Sequence, residues 1–399
     1  MKNQLSNRIN ALAVSATMAM AAKGREFKAR GIDIISLSLG EPDFKTPDFI
    51  NEATKDAIDD GKWFSYAPVP GYPELRKVIA EKLKQENGIE CNENNIVVSN
   101  GAKHSIANVM LALLNPGDEV IVYSPYWVTY AEVVKLADGV PVLIDGGLDQ
   151  DFKASAEQLE AAITDKTKAI IYSSPCNPTG AVFSKEELKA IADVIIRHDD
   201  IMVIADEIYE YINFSGGHYS IGAIPGMAER TITVNGVSKS YAMTGWRVGY
   251  ICAPEWLTKA INKMQGQVTS GVCSIAQRAA LAAILGGKET TTEMVNTYFN
   301  RRQMVYDLLQ EIPGMKINMP EGAFYMFPDV SAYFGKSSGE DKIENASDMA
   351  MYLLSKAHVA VVTGDAFGAP KCIRISYAAS EDNLKEAFKR IKDALGKLN

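Results

Sequence analysis

The run Ser238-Lys239-Ser240-Tyr241-Ala242-Met243-Thr244-Gly245-Trp246-Arg247 brings together an amine, flanking hydroxyls and a guanidinium. An amine attacks a carbonyl carbon, and a guanidinium grips phosphate through its planar fork of donors. A protein that tethers an aldehyde-bearing phosphate ester covalently needs that set. A lysine in a Ser-rich turn is ordinarily a solvated surface residue. The run therefore carries weight only if other parts of the chain supply the remaining groups.

Five clusters do. Ser99-Asn100-Gly101-Ala102-Lys103 follows the apolar run Ile96-Val97-Val98 and leads into a helical pattern. Its small residues let backbone N–H groups approach an anion at a helix N-terminus, although Asn-Gly is also a common turn. Pro125-Tyr126-Trp127 ends another run, where Trp127 either stacks on a flat heterocycle or packs in the core. Ser174-Pro175-Cys176-Asn177-Pro178-Thr179-Gly180 is a sharp turn that offers the Asn177 amide to a phenolate. Asp206-Glu207-Ile208-Tyr209 follows a third run. A carboxylate beside a pyridine nitrogen keeps it protonated and makes the ring an electron sink, and Tyr209 suits the phenolic oxygen; acids decorating a helix N-terminus are the alternative. Arg374 lies within Cys372-Ile373-Arg374-Ile375-Ser376-Tyr377 and, if buried, needs either a substrate carboxylate or an internal salt bridge. Together these would supply the groups that a pyridoxal phosphate site needs.

The elements that must position them are legible in outline. Ile96–Val98, Glu119–Tyr123, Ala169–Tyr172, Ile201–Ala205, Thr231–Val234 and Val248–Ile251 are apolar on consecutive positions. That marks strands buried on both faces of a mainly parallel sheet. Helical periodicity over Ser105–Leu114 and Lys185–Ile196 separates them. The pattern predicts an α/β large domain, its sheet flanked by helices, over residues 48–288. Residues 1–47 and 289–399 are expected to form a smaller α+β domain. There the pattern predicts helices over Ser6–Arg30, Thr290–Gln310 and Glu381–Leu398, strands at Met315–Asn318, Ala323–Phe327 and Ile373–Tyr377, and a surface loop at Gly335–Asp341.

Composition narrows the function classes. A chain of 399 residues exceeds the size of one ordinary core, hence two domains. A net charge of −8 disfavours nucleic acid as the main partner. The five cysteines lack Cys-x-x-Cys spacing and read as reduced thiols of a cytoplasmic protein. The four histidines lack metal-ligand spacing, so no metal is expected. No apolar run reaches membrane-spanning length. Gly236-Val237-Ser238-Lys239-Ser240 nearly matches a serine-hydrolase elbow but lacks its final glycine, and only His358 follows as a base.

Taken in order, from Ser15-Ala16-Thr17 through Gly40-Glu41-Pro42-Asp43-Phe44 and Tyr66 to Arg374, these clusters resemble the class I pyridoxal-phosphate aminotransferases with the aspartate aminotransferase fold, closest to bacterial aspartate aminotransferases. The resemblance implies that Lys239 forms a Schiff base with pyridoxal 5'-phosphate, that Asp206 pairs with its ring nitrogen, and that Tyr209 and Asn177 bond its phenolic oxygen. It implies that Trp127 stacks on the ring and that Gly101, Ala102, Ser238 and Arg247 hold the phosphate. Tyr66 is expected to reach the phosphate of a second subunit, in a homodimer with shared active sites. Arg374 would take the substrate α-carboxylate with Gly40, Trp127 and Asn177, while Lys103, near Thr17 and Ser15, would read a distal carboxylate. The implied reaction moves the amino group of L-aspartate to 2-oxoglutarate by ping-pong kinetics. Prephenate or aromatic amino acid transamination is the alternative on the same scaffold; a serine hydrolase or an aminotransferase-like regulator are more distant ones. The chain departs from the family pattern at Val14 and at Ser270-Gly271-Val272-Cys273-Ser274, which touches substrate preference and leaves the cofactor residues intact.

Overall fold

The computed structural model describes residues 4–399; residues 1–3, at the head of the segment expected in the small domain, lie outside the described residues. The apolar runs become a seven-stranded sheet: β1 (Ile96–Ser99), β2 (Glu119–Ser124), β3 (Val140–Asp145), β4 (Thr167–Ser173), β5 (Met202–Asp206), β6 (Thr231–Gly236) and β7 (Gly249–Cys252). Their order is β1-β7-β6-β5-β4-β2-β3. β7 runs antiparallel to both neighbours, and the other pairings are parallel.

The consecutive apolar residues are explained by burial on both faces. Val120, Val122, Ile171, Ile204 and Val234 enter one core, and the alternate residues Ile121, Ile170, Val203 and Ala205 enter another. Successive side chains of a strand point to opposite faces, so both sets must be apolar. Edge strand β3 was not among the expected strands. It is half exposed and carries Pro141, which an edge tolerates and a central strand does not. Helices cover the sheet, and one of them, Lys185–Ile195, starts on a capping box between Ser184 and Glu187.

A further core joins Met20, Ile34 and Leu37 to Met294, Tyr298 and most of the buried apolar residues of 305–398. It surrounds a short antiparallel sheet of β8 (Tyr325–Met326), β9 (Val362–Thr363) and β10 (Ile373–Ser376), with helices Thr292–Gln310 and Glu381–Leu395. Three expectations are corrected here. The helix expected over Ser6–Arg30 is two, Asn7–Asn10 and Ala16–Ala29. Between them Ala13 N donates to Glu132 Oε2 at 2.7 Å in place of the helical ladder, and Arg8 of the first helix pairs with Asp138. Met315–Asn318 forms only an isolated bridge, Lys316 to Asp329, and no strand. Gly335–Asp341 takes part in a tight hairpin, Ser337–Ser338 against Asp341–Lys342.

One buried network fixes the loop after β5. Asp206 and Tyr209 line the cavity described below, while Glu207 and Glu210 enter a separate polar cluster. There Lys82 is paired with Glu210, both nearly fully buried. Asn87 Nδ2 donates to Glu210 Oε2 at 2.9 Å and to Glu207 Oε2 at 3.1 Å, and Ser220 Oγ donates to Glu207 Oε2 at 2.7 Å. Glu207, Glu210 and His218 stand close enough to ligate a cation, a grouping that sequence spacing did not reveal; the Lys82 ammonium and the Asn87 amide already take both Glu210 oxygens and Oε2 of Glu207. Removing one partner of a buried ion pair leaves the other charge uncompensated. Lys82→Ala should therefore lower the unfolding free energy by about 3 kcal/mol in urea titration. A loss under about 1 kcal/mol would mean that the pair does not hold this loop.

Candidate active site

Ligands of open α/β sheets bind beyond the carboxyl ends of the strands. In this fold those ends carry the clusters. Asn100 and Gly101 follow β1, Trp127 follows β2, Asn177 follows β4, Asp206 ends β5, and Ser238 and Lys239 follow β6. They open on a cavity of about 680 Å³. Of the residues singled out in the sequence, Thr17, Gly40, Ala102, Lys103, Trp127, Asn177, Asp206, Tyr209, Ser238, Lys239, Arg247 and Arg374 all line it. Gly101 stands just behind Ala102 and does not line it. Tyr66 does not line it either and is 99% exposed.

Gly101 has φ +84° and precedes the helix Ala102–Leu113, whose first-turn N–H groups lack intrahelical acceptors. A Cβ there would lie 2.9 Å from Arg247 Cζ, so only glycine lets the guanidinium close on the helix start. Arg247 is itself held in the left-handed region, with Nη1 donating to Thr244 O at 3.0 Å and Nη2 to Asn100 O at 3.2 Å. Backbone donors and a guanidinium thus meet at one end of the cavity, the arrangement an anion requires.

Lys239 is half-buried, and its Nζ donates to Gly40 O. Burial lowers its amine to about 8; Glu41 opposes this, and Arg374 and Arg247 reinforce it. Asp206 is buried and moves the other way. Burial raises its carboxyl to about 6 against hydrogen bonds from Tyr130 Oη, at 2.6 Å, and Ile208 N, at 3.2 Å. Among the described residues no cation forms an ion pair with it.

Arg374 is 1% exposed. Nη1 donates to Asn177 Oδ1 at 2.9 Å and Nη2 to Ser38 O at 2.6 Å, and Nε has no partner. Among the described residues no carboxylate pairs with it, which removes the internal salt bridge left open by the sequence. Its guanidinium lies between Tyr325 and Phe367, 4.6 Å and 4.9 Å from their ring centroids. Lys103 lines the cavity from an exposed position, its Nζ 5.0 Å from the Trp127 ring centroid. Among the described residues no histidine lines the cavity, so Ser238 has no histidine base there, and His358 directly precedes the strand Val359–Ala360.

Two functional candidates escaped the sequence. Tyr130, three residues past Trp127, holds Asp206, and Tyr325 lines the wall beside Tyr209 and Arg374. Both look like core aromatics in a linear reading. Segment 270–274 does not line the cavity. Ser274 Oγ donates to Ser65 O at 3.0 Å, and Gly271 presses on Ala67 and Pro68, so the segment buttresses the loop that carries Tyr66.

Comparison with known proteins gives the family. The model for aminotransferase class I and II matches residues 32–391. The chain belongs to this family. It is 46% identical over 396 residues to a bifunctional aspartate aminotransferase and glutamate/aspartate-prephenate aminotransferase of Petunia hybrida, covering 98% of this chain and 82% of that one. It is 44% identical to an aspartate aminotransferase of Bacillus sp. strain YM-2, covering 98% and 99%. The crystal structure of the aspartate aminotransferase from Rhizobium meliloti superposes with a TM-score of 0.96 at 41% identity, covering both chains fully. That of Thermus thermophilus with maleate gives 0.92 at 40% identity, covering 98% and 100%. The expected fold, a mainly parallel α/β sheet with a smaller α+β unit, is that of these aminotransferases.

Two titrations follow from the site. An amine near 8 is about one-tenth neutral at pH 7, against under about 0.1% for an ordinary lysine. Capture of a small aldehyde at Lys239 in the cofactor-free protein should accelerate with an inflection near pH 8; an inflection near 10.5 would contradict the assignment. For Asp206 the folded state keeps its proton up to about 6, above the ordinary carboxylate range. Its ionisation therefore makes cofactor-free protein less stable as pH rises from about 4 to 6. Tyr130→Phe should move the Asp206 carboxyl band further up in infrared titration, and an unmoved band would deny Tyr130 that role.

Proposed function

We propose that this chain is an aspartate aminotransferase that uses pyridoxal phosphate, with Lys239, Asp206 and Tyr209 as its catalytic residues. The observation that carries the reading is one cavity containing a lysine amine lowered to about 8, a buried carboxylate lacking a cation and a buried guanidinium lacking an acid. The residues fit the cofactor. Asp206 lacks the positive partner that a protonated ring nitrogen would supply. The Ala102 helix start, Ser238 and Arg247 offer a phosphate their donors, and Trp127 offers a stacking face. Asn177 and Tyr209 offer donors to a phenolic oxygen.

When bound, the aldehyde-bearing pyridine ring accepts an amino group and absorbs the electron pair left at the substrate Cα. The chain's own groups do the rest. Lys239 would hold the group through its amine and, once freed, take the Cα proton on Nζ, for which a lowered pKa is needed. Asp206 keeps a proton at the ring nitrogen, and Tyr130 holds Asp206 ionised for that task. Arg374 binds the α-carboxylate as a fork, with Gly40 and Asn177 beside it. Lys103, near Thr17, meets a distal carboxylate, which favours dicarboxylic substrates. The kinetics are ping-pong, with the amino group resting on the enzyme between L-aspartate and 2-oxoglutarate. Prephenate transamination at the same site is the second reading, supported by the name of the Petunia relative.

We infer a homodimer. Tyr66 and Phe64, 99% and 87% exposed, stand away from their own cavity and suit a partner's. We place the domain boundaries at 47/48 and 288/289. Among the described residues no helix is long and apolar enough to cross a membrane, and we assign the protein to the cytoplasm on its five unpaired cysteines.

Protein reconstituted with pyridoxal phosphate should produce oxaloacetate from L-aspartate and 2-oxoglutarate. Lys103→Ala should raise KM for aspartate about tenfold or more, the worth of a charged hydrogen bond, and that for phenylalanine under about threefold. Equal effects on both would remove Lys103 from substrate reading, and no turnover with any amino acid would refute the function.

A further inference from the structure

Tyr325 is fully buried on β8 and makes three contacts with groups that the proposed reaction uses. Its hydroxyl lies 2.6 Å from the Tyr209 hydroxyl. Its ring lies under the Arg374 guanidinium at 4.6 Å. Its hydroxyl also fills the space that a Cβ on Gly40 would need, so it bears on the residue whose carbonyl receives Lys239 Nζ. The register is fixed: β8 pairs antiparallel with β10, Tyr325 opposite Ser376 and Met326 opposite Ile375, on the strand that carries Arg374. Tyr209 belongs to the loop after β5 in the large sheet, so one phenol spans the two parts of the site.

A phenol has one proton, and only one of two facing hydroxyls donates. If Tyr209 donates to Tyr325, its proton is unavailable to the cavity. If Tyr325 donates, the Tyr209 proton is free for an anionic oxygen in the cavity, and the donated bond makes that proton more acidic.

We propose that Tyr325 is a positioning residue that donates to Tyr209, so aiming the Tyr209 proton at the cofactor's phenolic oxygen, while its ring fixes the guanidinium that takes the α-carboxylate. This rests on the reading of the cavity as a pyridoxal phosphate site. Tyr325→Phe removes the first action and keeps the second; Tyr325→Leu removes both.

The test uses full-length protein reconstituted with pyridoxal phosphate. It reads the pH midpoint of the bound cofactor's long-wavelength absorption, the Kd of succinate, which carries carboxylates and no amine, and kcat and KM for aspartate. Tyr325→Phe should move the midpoint by about half a pH unit or more and lower kcat about tenfold, the worth of one hydrogen bond, with succinate binding within about twofold of the parent. In a Tyr209→Phe background the same change should move the midpoint no further, because the two hydroxyls act as one unit. Tyr325→Leu should also weaken succinate binding about tenfold. An unmoved midpoint in Tyr325→Phe, or full additivity with Tyr209→Phe, would overturn the directing role. Equal succinate binding by the Phe and Leu variants would overturn the platform role. Parent protein without a long-wavelength band would instead defeat the cofactor reading itself.

Discussion

A lysine amine attacks a carbonyl near neutral pH only when its hold on a proton is weakened, and burial of Lys239 does this. Desolvation leads, and the two guanidinium groups proposed to bind a phosphate and a carboxylate, Arg247 and Arg374, reinforce it. Binding and chemistry are therefore coupled electrostatically. The cations that would grip the ligands also keep the amine neutral enough to react. Glu41 and Asp206 pull the other way, which sets the balance near 8 and not lower.

The sheet makes that burial possible. Parallel strands end on one edge, so residues from 101 to 247 meet there without long loops. Arg374 arrives from the smaller sheet and is buried among Tyr325, Phe367 and the Asn177 amide with no acid to satisfy it. Asp206 is an anion with no ion-pair partner, steadied by a tyrosine hydroxyl, one backbone amide and the charge of Lys239. Such groups destabilise an empty fold and become favourable when a complementary ligand enters. The Lys82–Glu210 cluster on the far side of the same loop is the contrast: it is internally paired and holds structure.

Much of this was legible in the sequence because two-faced strands demand consecutive apolar residues and chemistry collects just beyond them. Lys239, Asp206 and Asn177 stood out as polar residues closing such runs. What escaped was set by tertiary contact. The helix break after Asn10 depends on Glu132, more than a hundred residues away. Strand β3 was hidden by Pro141, acceptable only at an edge. β7 reads like its parallel neighbours, since burial on both faces leaves no trace of direction. Tyr130 and Tyr325 are aromatic residues among seventeen tyrosines, and only the fold tells a hydroxyl aimed at Asp206 or Tyr209 from one that merely packs.

The central claim is that the amine at position 239 is the one this fold makes reactive. Borohydride reduction of protein incubated with pyridoxal phosphate at pH 7, followed by peptide mass mapping, tests it directly. The account predicts one stoichiometric pyridoxyl group, on the peptide containing Lys239. Label spread over surface lysines, with Lys239 unmodified, would contradict it.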